Sequence, residues 1–264
     1  MRLISHTIEY TSRSDVFRIV PLSDIHLGNK ACDEKLFKRV VDDIAHDDKC
    51  YTILLGDMCE FINRKDRRFD PEDLPNWLWG KGDLAKAQRA HLIEILKPIG
   101  PKILASVEGN HERAIYDHWE RDVYSSIIEN LCDKGEPKLV GPSGFLRLTF
   151  KRLGNSAFVL TFFLTHGWWG GRLMGAGALN LERILGWVEA DIVLAGHDHR
   201  KRVIGMSKLY CTRYGVRTKN CYAASCGSFL DQPAYAERAG MRPLPVGPIE
   251  ILIEPDKKQV KFIQ

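Results

Sequence analysis

Five apolar runs in this chain of 264 residues end on a turn that carries a carboxylate, an amide or an imidazole. VFRIVPLSD leads to Asp24 and His26, YTILLGD to Asp57, KILASVEGN to Asn110 and His111, AFVLTFFLTHG to His166, and DIVLAGHDH to His197 and His199. Segments of helical period lie between the runs. EKLFKRVVDDIAH sets Leu36, Phe37, Val40, Val41 and Ile44 on one side, and DLAKAQRAHLIEILKPIG does so with Leu84, Ala87, Leu92, Ile95 and Leu96 before Pro98 and Gly100 stop it. Such alternation builds a layered α/β fold, in which the carboxyl ends of neighbouring strands line one rim where loops make sites.

The remaining pattern extends this frame. A further helix is expected over 115–131, a hairpin joins FLRLTF to AFVLTFFLTHG through KRLGNS, and LNLERILGWVEA reads as a helix with GAGALN as its entry. Short strand candidates near 203–211, 220–225, 249–254 and 258–263 make the last third mostly β. The expected architecture is two packed sheets with helices on their outer faces, in one domain spanning 1–264. The proline- and glycine-bearing stretch FINRKDRRFDPEDLPNWLWGKGD interrupts it as a surface excursion at about 61–82. There is no internal repeat.

Composition bounds the function classes. No apolar run approaches the roughly 18 to 20 residues of a membrane-spanning helix, and MRLISHTIEYTSRSD lacks the apolar core of a secretory signal. Seven cysteines without a CxxC pair suggest reduced thiols, so the expectation is a cytoplasmic protein. A net charge of +4 does not by itself call for nucleic acid, although RKDRR at 64–68, HRKR at 199–202 and Arg213, Arg217 and Lys219 could meet phosphates. No Walker lysine motif and no G-x-S-x-G elbow is present.

Each strand-end fragment alone is the pattern of an ordinary turn. Together they assemble carboxylate, imidazole and amide oxygen at successive strand ends, a mixed oxygen and nitrogen set suited to Mn, Fe, Zn, Ni or Co. The lack of thiolates argues against a structural zinc cage, and the donor count exceeds the needs of one metal.

SDIHLG, LLGD, GNHE, THG and GHDH, in this order over residues 24 to 199, resemble the metallophosphoesterases, also called calcineurin-like phosphoesterases. The resemblance implies a four-layer α/β/β/α sandwich with two mixed β-sheets flanked by helices. It also implies two divalent metal ions at the rim, manganese first among the candidates. Asp24, His26 and His199 would hold one metal, Asn110, His166 and His197 the other, and Asp57 would bridge them. A bridging water of lowered pKa would attack phosphorus, and His111 would protonate the leaving oxygen as general acid. Asp24 or Glu112 would orient His111, although Glu112 reads more simply as a surface acid. Arg113 is a candidate bidentate phosphate clamp, Trp168 a stacking surface, and Arg64 a second clamp from the excursion. His46, His91 and His118 read as ordinary surface or packing residues.

The leading function is a metal-dependent phosphodiesterase acting on nucleic-acid or nucleotide phosphodiester bonds, nearest the repair-exonuclease-like branch, with DNA or RNA as partner. A homo-oligomer is compatible with it. Three alternatives stand beside it. A protein phosphatase shares GNHE, but GDMCEFINR departs from the GD-x-x-DRG of those enzymes. A UDP-diacylglucosamine-pyrophosphatase-like hydrolase shares SDIHLG, but GNHE departs from its usual GNR. A protein-binding scaffold of this fold, such as a retromer subunit, tends to lose ligands that are all present here.

Overall fold

The computed structural model describes residues 1–132, 138–170, 173–233, 236–237, 240 and 242–264. Two mixed sheets carry the fold. The first contains β1 (Arg2–Tyr10), β6 (Ser143–Arg152), β7 (Asn155–Thr165), β8 (Ile192–Ala195), β10 (Gly215–Ser228) and β11 (Gly247–Pro248) in that spatial order, with β9 (Lys201–Thr212) paired to β10. The second runs β13 (Gln259–Ile263), β12 (Glu250–Glu254), β2 (Phe17–Leu22), β3 (Cys50–Leu54), β4 (Ile103–Val107) and β5 (Leu139–Gly141). Strands β2 to β5 are parallel, as are β7, β8 and β10, so each sheet sends its own set of carboxyl ends in one direction.

Alternation along these strands divides the core. Ile19, Ile53, Leu55 and Leu104 meet Leu146, Leu148, Phe162, Leu164, Ile192 and Leu194 between the sheets. Val20, Leu22 and Leu54, one position out of phase, pack instead against Phe37, Val41 and Ile44 of α1 (Glu34–His46) and Leu92 and Leu96 of α2 (Leu84–Leu96). Val193 and Ala195 face Leu181, Ile184 and Leu185 of α5 (Met174–Trp187) on the far side. The layers are thus helix, sheet, sheet, helices, and each large side chain buried there contributes about 1.5–3 kcal/mol. Asp33 and Asp83 cap α1 and α2 by accepting from the N–H groups of Leu36 and Lys86, both at 2.9 Å.

One expectation changes and one strand is new. The helix expected over 115–131 is two helices, α3 (Asn110–Trp119) and α4 (Val123–Leu131). Glu120 turns left-handed (φ 53°) to end the first, and Asp122 caps the second through the Ser125 N–H at 2.8 Å. An N-cap aspartate competes with helix continuity at that position. Residues 2–10, which carry no continuous apolar run, form β1 in parallel register with β6, from Arg2 opposite Gly144 to Tyr10 opposite Arg152. Among the described residues no helix is long and apolar enough to cross a membrane.

Candidate metal centre

The loops that leave β2, β3, β4, β7 and β8 bring all seven sequence-predicted ligands together. Asp24, His26 and His199 place donor atoms within 4.8 Å of one another, and Asp57, His166 and His197 do the same. Asn110 joins the second group, its Oδ1 lying 3.0 Å from His166 Nε2 and 3.0 Å from His197 Nδ1. A third set, His26, Glu60 and His111, adjoins the first through their shared His26.

The backbone at this rim is strained in a regular way. Asp24, His26, Asp57, His197 and His199 all have positive φ, between 49° and 70°. Aspartate and histidine are among the few side chains that tolerate this region, which costs about 1–3 kcal/mol per residue where the surroundings enforce it. The surroundings here are specific. The N–H groups of Asp24, His26 and Leu27 each donate at 3.1 Å to the carbonyls of Gly56, Asp57 and Met58, stitching the loop after β2 to the loop after β3. That second loop touches the loop after β4 backbone to backbone, since a Cβ at Gly109 would stand 2.2 Å from Asp57 N.

Glu112, expected at the surface, is buried and works as an anchor. Its carboxylate accepts from the N–H groups of Asp57 (2.9 Å), Met58 (2.8 Å) and Gly109 (3.0 Å), so one side chain fixes the turns that carry Asp57 and Asn110. Neither Glu112 nor Asp24 orients His111. That role falls to the Glu60 carbonyl, which accepts from His111 Nδ1, while the Glu60 carboxylate accepts from His26 Nδ1 at 2.8 Å. Sequence reasoning gave Glu60 no role. For Glu112 a signal existed, because a glutamate at the third position of a helix opening on Gly109 reaches back to the N-terminal amides.

These second partners set the chemistry of the ring nitrogens. His26 donates from Nδ1 to Glu60, and His166 donates from Nδ1 to the Leu55 carbonyl at 2.7 Å, so each neutral ring turns an Nε2 lone pair inward. Facing them are other ring nitrogens and a carboxylate: His26 Nε2 lies 3.2 Å from His199 Nε2, and His166 Nε2 lies 3.3 Å from His197 Nδ1 and 3.1 Å from Asp57 Oδ2. The Asp57 carboxylate facing the His166 lone pair requires positive charge between them. In the protein alone, protons supply it. Burial disfavours charging of His166, but Asp57 and Asp24 outweigh it and push the imidazole up to about 10. Burial also opposes ionisation of Asp57, yet His166, His111 and His26 hold its carboxyl well below the usual range. His199 is shifted upward by Asp24 against its own burial, whereas burial and His166 shift His197 downward. Burial and Asp57 push Glu112 up to about 7 despite its three N–H donors.

Oxygen and nitrogen donors in two adjoining groups, with the tautomers of His26 and His166 fixed and the carboxylates of Asp24 and Asp57 among them, fit two divalent cations. The remaining sequence candidates lie around this centre. His111 is buried, its Nε2 4.0 Å from Asp57 Oδ2 and its ring edge-on to His26. Arg113 points outward, paired with Asp117 at 2.8 Å and lying over the Tyr116 ring. Arg64 ties the two ends of the excursion together, donating to the carbonyls of Lys81 (3.0 Å) and Gly82 (3.2 Å). Trp168 is exposed and edge-on to Trp169, which is buried against α5.

The family model of the calcineurin-like phosphoesterases matches residues 17–201, the stretch that carries every one of these donors. Similar solved structures include a metallophosphoesterase from Sphaerobacter thermophilus, at 17% identity and a TM-score of 0.43, with 94% of this chain and 87% of that one covered. They also include Pseudomonas putida nuclease MPE, at 16% identity and 0.35 with 93% and 87% covered, and Chaetomium thermophilum Vps29, at 12% and 0.39 with 90% and 78% covered. No curated protein matches the chain.

Proposed function

We propose a specific reaction for this chain, which belongs to the calcineurin-like phosphoesterase family: hydrolysis of phosphodiester bonds in nucleic acids or nucleotides. Membership makes it a metal-dependent phosphoester hydrolase; the diester and the nucleotide are the refinement argued here. Asp24, His26 and His199 would hold one divalent cation and Asn110, His166 and His197 the other. Asp57 would be shared, a role supported by its carboxylate, whose Oδ2 lies 3.1 Å from His166 Nε2 and 4.0 Å from His111 Nε2. Manganese is the first candidate. Bound there, a cation pair supplies Lewis acidity toward a phosphoryl oxygen and lowers the pKa of water.

The observation that carries the reading is the attachment of His111. Its Nδ1 is committed to the Glu60 carbonyl, so the group left to exchange a proton with substrate is Nε2, on the side of Asp57. Burial pulls the ring toward neutrality, but Asp57 and Glu60 outweigh it and shift its pKa upward. A proton held at that atom can pass to a departing alkoxide, a service worth roughly 10²- to 10⁴-fold.

Preference for a diester follows from where the arginines are spent. A monoester dianion calls for a guanidinium clamp, but Arg113 pairs with Asp117, Arg64 with backbone carbonyls and Arg68 with Asp66 at 2.7 Å. All seven cysteines are free thiols, which supports a reducing, cytoplasmic setting. The test is hydrolysis of bis(p-nitrophenyl) phosphate and of p-nitrophenyl phosphate by the protein loaded with Mn²⁺. The diester is expected to turn over faster; equal rates would defeat the preference, and no hydrolysis of either would defeat the assigned chemistry.

A further inference from the structure

The excursion at 61–82 leaves the metal centre at the residue that holds the general acid. Glu60 binds His111 through its carbonyl, and Phe61, the next residue, donates its N–H to Gln88 of α2 at 2.8 Å. Asn63, Arg64 and Lys65 then turn along α3, and the excursion returns at Gly82 and Asp83. Between these two ends and α3 lies a cavity of about 370 Å³, lined by Lys65, Leu84, Ile115, Trp119 and Arg121 among others. Ile115 and Trp119 follow His111 at intervals of four residues, so they lie on the same side of α3. Trp119 stands about 12 Å along the axis from His111, the reach of a neighbouring nucleotide rather than of a second protein domain.

The chemistry of the lining is that of a base next to a phosphate. Trp119 is 40% exposed, a large ring left open beside a cavity. Lys65 Nζ stands 4.5 Å from the centroid of that ring. Arg121 is held at 3.0 Å by Asp83 across the mouth, with its side chain about half exposed. Arg64 forms the wall through its two carbonyl contacts.

We propose that this cavity is a nucleobase subsite, in which Trp119 stacks a base of a nucleotide flanking the scissile phosphodiester while Lys65 meets its phosphate. The inference rests on the phosphodiesterase reading for its biological sense, but its test does not. Stacking on an exposed aromatic ring is tolerant of base identity, so the ligand class is single-stranded nucleic acid of mixed sequence.

The experiment is binding of a short fluorescein-labelled oligothymidylate to the full chain in EDTA, read by anisotropy, so that no cleavage occurs. The unaltered protein should bind. Trp119→Leu should weaken binding about tenfold or more, and Trp119→Phe should recover most of that loss. An abasic competitor of equal charge should displace the probe poorly. Lys65→Gln, which changes no packed ring, should weaken binding and flatten its salt dependence, and it decides the matter if the leucine variant fails to fold. Absence of binding by the unaltered protein, equal affinities of the leucine and phenylalanine variants, or competition by the abasic strand equal to that of the intact one would overturn the proposal. Hydrolysis of bis(p-nitrophenyl) phosphate is scored separately. A protein that binds through Trp119 but hydrolyses no diester keeps this subsite and loses the proposed reaction, and the reverse result does the opposite.

Discussion

The rim of the two sheets and the excursion at 61–82 solve opposite problems. At the rim six of the seven donors are buried or half-buried, Asn110 alone being exposed, five of them sit on strained backbone, and the turns are pinned by neighbouring turns or by Glu112. In the excursion the basic side chains are exposed or half-exposed and pair with one another's loop, as Arg64 does with Lys81 and Gly82 and Arg68 with Asp66. The rim can change little without losing its chemistry. The excursion can change a great deal, because its contacts are local and wet. Reaction type is therefore expected to reside in the sheets and substrate choice in the loop, which sets the scale of every substitution effect.

The largest effect belongs to the rim. His111→Ala should lower kcat by roughly 10²- to 10⁴-fold with metal content retained, measured by turnover beside metal analysis. A parallel loss of metal would make His111 a support of the ligands instead of the acid. Next comes the exchange of protons for cations. His166, raised from 6.5 to about 10, stabilises the metal-free fold fully below 6.5, and this contribution is lost as pH rises through about 10. Metal-free protein should accordingly melt lower as pH is raised from 7 to 10, and Mn²⁺ added at pH 8 should release protons. A cation that binds without proton release would contradict this account of the centre.

Glu60→Gln should cost about 10- to 100-fold in metal affinity or activity, because the amide no longer fixes His26 as the carboxylate does. Isothermal titration with Mn²⁺ checks it, and an unchanged affinity would remove Glu60 from the centre. Gly109→Ala, which drives a Cβ into Asp57 N, should destabilise the fold by about 1–3 kcal/mol, several degrees in Tm. At the small end, Arg64→Ala in the excursion should cost about 1 kcal/mol or less, because its contacts are exposed to water. A loss as large as that at Gly109 would erase the contrast between the two regions.

How much of this was legible in the sequence follows the same division. The donors were readable because each ends an apolar run, and the strand ends of a layered fold must share a rim. Both sheets, apart from β1, β5 and β11, and α1, α2 and α5 were readable from period. Glu60 was not, since a glutamate in DMCEF carries no local mark of burial; its partner His26 is distant in sequence and near only in the folded chain. Glu112 was misread because charge usually means surface, and three unpaired backbone amides at a helix start reverse that rule. The break at Glu120 was hidden by apolar residues that keep period on both sides of it. The course of the excursion was invisible for another reason: Arg64 is satisfied by backbone carbonyls, and any sequence offers carbonyls.

The left-handed turns at Asp24, His26, Asp57, His197 and His199 bear on how such a protein can drift. Glycine would relax each of them and remove a donor in the same step. A lineage released from catalysis could therefore trade those five positions for sturdiness, and would melt later as it fell silent.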